Sequence, residues 1–145
     1  MTLAERQAAL VAALAGAGDV PAGFDAARVR AAASALAFKR ARAVSQAWPG
    51  TRAMLGDDYR KRFAEYASIA PIPQHGGPRA DGRAFVRYLA ERMPLRDDVA
   101  LQALSVDLQA RSWPRVRAAW LHDAQCVVVA TGDYRVRLRL PFLRR

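Results

Sequence analysis

Apolar residues recur at helical spacing from Leu3 to Leu108, and from Pro114 onward the period drops to that of a strand. The change is sharpest near the end, where Tyr134, Val136, Leu138 and Leu140 alternate with Arg135, Arg137 and Arg139. One face of that strand is apolar and the other is a row of guanidiniums. Helices first and strands last define an α+β chain that is mainly α. The expectation is an N-terminal bundle of about six helices over residues 1–112, followed over 113–145 by a small antiparallel sheet packed on the helical domain.

Helix boundaries follow from cap residues. Thr2 with Glu5 reads as a capping box ahead of the stripe Leu3, Leu10, Val11 and Leu14. Asp25 caps a second helix reaching Trp48, with Val29, Ala33, Leu36, Val44 and Trp48 inward and Arg28, Arg30, Lys39, Arg40 and Arg42 on its polar side. Pro49 opens a short third helix closed by Gly56. Asp57 or Asp58 caps a fourth, on which Tyr59, Phe63, Tyr66 and Ile69 share a face. Residues 71–82, PIPQHGGPRADG, read as the one long loop, after which Asp81 starts a fifth helix with Phe85, Val86, Leu89 and Met93 inward. A sixth begins near Asp97 and is striped by Leu101, Leu104 and Leu108. In the strand region Val116, Ala118 and Trp120 alternate with Arg117 and Ala119. Turns at 122–124 and 131–133 give a three-stranded meander, whose apolar face is expected against the last helix because isolated strands are marginal in water.

The 145 residues suit one domain or two small subdomains sharing a core. The composition, 52% hydrophobic and 25% charged, is that of a globular chain. No apolar run approaches the roughly 18 residues of a membrane span, and the N-terminus MTLAERQAAL does not read as a signal peptide. Cys126, the only cysteine, allows no internal disulfide, so a cytoplasmic setting is expected. The net charge of +10 attracts phosphate backbones. Only Lys39 and Lys61 among the 23 basic residues are lysines, however, and an arginine-rich, alanine-rich composition also arises from GC-rich coding.

Chemistry-bearing residues are sparse. His75, His122 and Cys126 are widely spaced as a set; His122 and Cys126 lie across a turn and could approach, but ordinary surface and core roles are the better reading, and no nucleophile stands in a recognisable signature, so no bound metal, no cofactor and no catalysis are expected of this chain. Binding is the better expectation. A strand at a sheet edge offers unpaired backbone groups to an extended peptide, and Tyr134, Arg135, Arg137 and Arg139 become peptide-binding candidates, the arginines selecting acidic side chains. His75 and Arg79 in the long loop, with Trp113 and Trp120 flanking the first strand, are candidates for a protein interface. A DNA-binding regulator would instead use Arg28, Arg30, Arg40 and Arg42 on phosphates, although a helix-turn-helix pair is missing.

Several positions carry a family resemblance: AWP at Ala47 to Pro49, LG at Leu55 and Gly56, then Tyr59, Phe63, Tyr66 and Pro71, and the helix of Phe85, Tyr88 and Leu89. Over residues 25–95 the chain resembles a bacterial family that carries a DNA-binding-domain label and is better understood as the partner subunit of multinuclear non-haem iron oxidative enzymes. It is similar to the partner proteins of methanobactin-type peptide maturation, and to actinobacterial relatives in which the segment is a C-terminal domain. The resemblance implies a non-catalytic subunit that binds a barrel-type iron enzyme and helps present a ribosomally made precursor peptide. The iron belongs to the partner, and no membrane is involved.

Overall fold

In the computed structural model, described here for residues 2–15, 18–109, 116–124, 126–131 and 134–139, helices dominate and a three-stranded antiparallel sheet lies toward the C-terminus. The helices are α1 (Leu3–Leu14), α2 (Ala26–Ala47), α3 (Pro49–Leu55), α4 (Tyr59–Ala67), α5 (Gly77–Ala90) and α6 (Asp97–Gln109), with a 3-10 turn at Gly56–Asp58. The strands are β1 (Val116–Leu121), β2 (Cys126–Thr131) and β3 (Tyr134–Arg139), ordered β1-β2-β3. The chain divides into two compact units, Met1–Phe85 and Val86–Arg145, at a point inside α5. The boundary expected at 112/113 separates helix from strand, whereas packing groups α6 with the sheet.

In the first unit the caps act as their chemistry dictates. The Thr2 hydroxyl accepts from the Glu5 amide at 3.2 Å while the Glu5 carboxylate takes the Thr2 amide at 2.6 Å. The Asp25 carboxylate accepts from the amides of Ala27 and Arg28. Gly56, at φ +54°, ends α3 in a conformation that favours glycine. Asp57 and Asp58 do not cap α4, contrary to expectation. They lie within the 3-10 turn, which runs straight into the helix and leaves Asp58 helical, without a capping bond.

Trp48 and Phe63 are fully buried, with Tyr59, Tyr66 and Phe85 beside them. The Phe63 ring lies 5.0 Å from Phe85 and 5.4 Å from Tyr66, both edge-on, as ring quadrupoles favour. Ile69 departs from the expected stripe: it follows the end of α4 and is 65% exposed. The fifth helix also differs from its reading. It starts at Gly77, so Asp81 is not its cap but an interior residue facing the core at 4% exposure.

The second unit is built on α6. Ala100 and Leu104 pack on Leu121, Cys126, Val128 and Ala130, with Leu101, Leu108 and Ala119 partly buried against them. The Asp97 carboxylate at the start of α6 accepts from the amides of Asp123 and Ala124 at 3.0 and 2.9 Å, tying the β1–β2 turn to the helix. Next to it, Arg96 donates twice to the Asp98 carboxylate at 2.6 Å and holds that carboxyl below its usual range.

The sheet register corrects the expected orientation. Leu121 pairs with Cys126, Ala119 with Val128 and Arg117 with Ala130, so the residues of β1 that face α6 are Arg117, Ala119 and Leu121 rather than Val116, Ala118 and Trp120. Small side chains at Ala119, Cys126 and Ala130 give the leucines of α6 room to approach, which sequence alternation alone does not reveal. The inversion carries into β3. Arg135 and Arg137 pair with Ala130 and Val128 on the helix-side face, and Val136 and Leu138 pair with Val129 and Val127 on the outer face.

Candidate functional site

β3 pairs only with β2 among the described residues and therefore presents one open edge. Arg135 and Arg137 are exposed although they share a face with buried β2 residues, because α6 packs over β1 and β2. The Arg135 guanidinium donates to the Ser105 hydroxyl of α6 at 3.0 Å, which orients it beside the helix. Tyr134 and Arg139 occupy register positions opposite Thr131 and Cys126 and are described by their backbone alone. Among the described residues the edge thus joins main-chain groups that have no strand partner to cationic side chains at alternate positions, the chemistry required to add an extended acidic segment.

The interface candidates fall on separate elements. His75 is exposed in the loop ahead of α5. Arg79 lies in the first turn of α5, where its carbonyl accepts the Trp48 indole N–H at 3.1 Å. Trp120 is half-buried on the outer face of the sheet, its ring 6.2 Å from His122. Trp113 lies outside the described residues.

Arg40 is removed from the phosphate-binding set. Its side chain is 8% exposed and forms a two-pronged ion pair with Asp81, Nε to Oδ2 at 3.0 Å and Nη2 to Oδ1 at 2.9 Å. The same carboxylate accepts the Tyr66 hydroxyl at 2.8 Å, and Arg40 also donates to the Ala70 carbonyl at 3.3 Å. Satisfying a buried charge requires partners of this kind, and Asp81, inside α5, supplies them. Arg28, Arg30 and Arg42 remain exposed on α2. Burial raises the phenol pKa of both Tyr66 and Tyr59 well above the ordinary value; at each the Asp81 carboxylate adds to the rise, and at Tyr59 the nearby Arg52 opposes it.

One feature of the helical unit escaped the sequence. A cavity of about 540 Å³ is walled by Arg42, Arg52 and Arg60, with Ser45, Asp57 and Tyr59 between them. The Arg60 guanidinium stacks 5.2 Å over Phe38, itself 51% exposed. These arginines come from α2, α3 and α4, so no local spacing announces them. Among the described residues no group of three or more His, Cys, Asp or Glu side chains is placed to hold a metal ion, and no helix is long and apolar enough to cross a membrane.

A mainly helical chain with an arginine-bearing sheet edge defines a small α+β protein whose distinctive chemistry lies on its surfaces. Residues 4–91 match the family described as SCO6045-like, C-terminal domain, and the chain belongs to that family. It is also 41% identical over 87 residues to a UPF0276 protein of Streptomyces avermitilis. That alignment covers 60% of this chain and 18% of the relative, so the chain spans about one fifth of the relative's length. No solved structure matches.

Proposed function

We propose that this chain is a non-catalytic partner protein that binds a barrel-type multinuclear non-haem iron oxidative enzyme and helps hold a ribosomally made precursor peptide. The observation that carries the reading is the open β3 edge with exposed Arg135 and Arg137 at alternate positions. The segment's occurrence as 18% of a longer UPF0276 chain supports a partner, since a segment joined to a larger body in one protein can meet that body as a separate chain in another. In this proposal the rest of the UPF0276 chain corresponds to the iron enzyme, the iron stays with that enzyme, and the encounter takes place in the cytoplasm.

The peptide lies along β3, bonds to its free main-chain edge and places acidic side chains against Arg135, Arg137 and Arg139. A DNA-binding role would rest on Arg28, Arg30 and Arg42, with Arg40 already committed to Asp81. The test combines co-expression with a UPF0276-type chain from the same genome and titration of an acidic leader peptide encoded beside it. Expected are co-purification of an iron-containing complex, and peptide binding weakened by the triple change of Arg135, Arg137 and Arg139 to Gln. Failure of the two chains to associate, together with sequence-selective duplex binding that survives about 0.2 M salt, would replace this reading with the regulator.

A further inference from the structure

The arginine-walled cavity of the helical unit has a floor and a rim of different chemistry. Phe38, Ala41, Arg42 and Ser45 are spaced three and four residues apart on α2 and share the face that makes one wall. Arg52 of α3, Asp57 of the 3-10 turn and Tyr59 and Arg60 of α4 make the others. The floor is buried and its hydroxyls are already engaged: Ser45 donates to the Arg42 carbonyl at 2.8 Å and Tyr59 to the Ala41 carbonyl at 2.9 Å. The rim is exposed. Among the described residues none of the guanidiniums of Arg42, Arg52 and Arg60 has an ion-pair partner, and that of Arg60 stacks on the Phe38 ring instead. Three guanidiniums and one carboxylate, Asp57, leave the cavity two positive charges in excess.

We propose that this cavity binds a nucleoside monophosphate, its phosphate held by Arg42, Arg52 and Arg60 and its base stacked on the Phe38–Arg60 pair. A phosphate monoester carries about −1.5 to −2 charges at pH 7, which matches the excess, and guanidiniums grip phosphate oxygens in pairs. Size argues against a bare phosphate. The cavity measures about 540 Å³, the scale of a small-molecule pocket, and a lone ion fills little of it. Phe38, 51% exposed, adds a flat apolar ring on which a base can stack. Asp57 repels an anion alone but accepts the hydroxyl or amino groups that a nucleoside brings. Shape argues against a duplex, whose phosphates run along an extended surface, whereas these arginines come from three helices around one hollow. The site lies wholly within the first compact unit and is independent of the β3 edge and of the partner proposed above.

The test titrates the full chain by calorimetry in about 0.15 M salt, which screens general charge attraction. The probes are AMP, GMP, CMP and UMP, with inorganic phosphate and adenosine as the two halves of the ligand. Arg52→Gln, Arg60→Gln and Phe38→Ala alter the cavity, and Arg30→Gln removes the same charge from an exposed α2 position outside it. All four positions are exposed, and melting temperatures establish that each variant folds as the parent does. Expected is one or more nucleotides binding at least about tenfold tighter than either half, weakened at least about tenfold by each cavity variant and unchanged by Arg30→Gln. No nucleotide binding up to about 1 mM overturns the proposal, as does binding that the cavity variants leave intact. A nucleotide held no more tightly than inorganic phosphate would make this an adventitious ion site only. Equal weakening by Arg30→Gln would reduce it to the charge of the whole chain. Displacement of the nucleotide by a short duplex, whose own binding Arg52→Gln abolishes, would assign the arginines to nucleic acid. Each of these three results also overturns the proposal.

Discussion

Arg40 and Asp81, 41 positions apart in the chain, meet as a buried ion pair whose two hydrogen bonds measure 3.0 and 2.9 Å, with the Tyr66 hydroxyl closing the third side of the carboxylate. The guanidinium also lies 5.8 Å from the Phe63 ring centre and 5.7 Å from that of Tyr66, so one cation links the aromatic cluster to α5. Removing Asp81 leaves the arginine buried without its counter-charge. Asp81→Ala is expected to cost about 3 to 5 kcal/mol, and the double change Arg40→Met with Asp81→Leu markedly less. Urea melts of the two singles and the double decide it; additive losses would show that the pair is not coupled.

Gly82 lies against the indole of Trp48, and a Cβ built there would overlap Cδ1 of that ring. Trp48 cannot retreat without breaking its bond to the Arg79 carbonyl, because it is fully buried. Gly82→Ala should therefore destabilise the helical unit by about 1 to 3 kcal/mol, even though alanine favours helix more than glycine does. Gly56→Ala isolates the other cost of replacing a glycine: it meets no atom within 4 Å and is strained only through its φ of +54°. A thermal melt that placed Gly82→Ala at or above the parent would refute the contact.

The two buried tyrosines make stability sensitive to alkali. Burial raises both phenols above their usual value near 10, so the folded state prefers the protonated form. Their contribution is complete below about pH 10 and declines as pH rises, because the unfolded chain ionises first. Chemical denaturation between pH 8 and 11 should show stability falling from about pH 10 onward in the parent. The slope should be reduced in Tyr66→Phe, whose lost hydroxyl also releases Asp81 from one bond.

The two faces of β2 can be told apart by moving one lysine by one residue. Val128 is 1% exposed on the α6 side, and Val129 is half-buried on the outer side. Val128→Lys buries an unpaired cation and should unfold the sheet unit or lower its melting temperature by many degrees. Val129→Lys can extend its ammonium to solvent and should leave the fold intact. The reverse ranking would mean that the register is shifted by one residue.

Local chemistry was enough for the helices and the order of elements. Thr2, Asp25, Pro49 and Gly56 each act within a few residues, on backbone groups that every helix end leaves unpaired, and each is found in its expected place. The aromatic spacing of Tyr59, Phe63 and Tyr66 likewise places all three inward. Asp81 shows where local reading stops. An aspartate after a loop resembles a cap, and only a partner from α2 makes it an interior residue.

The strands carry the same lesson for the candidate site. Alternation at Tyr134 to Arg139 reveals a strand with two unlike faces, and by itself it says nothing about which face meets the helix. That choice was made by α6 through the small residues Ala119, Cys126 and Ala130, and the antiparallel register then carried Arg135 and Arg137 to the helix side and Val136 and Leu138 outward. Period and caps are properties of a few adjacent residues, so the amino-acid sequence by itself determined the elements and their order. Orientation, the buried ion pair and the arginine-walled cavity depend on residues that are distant in the chain, and only tertiary packing decided them.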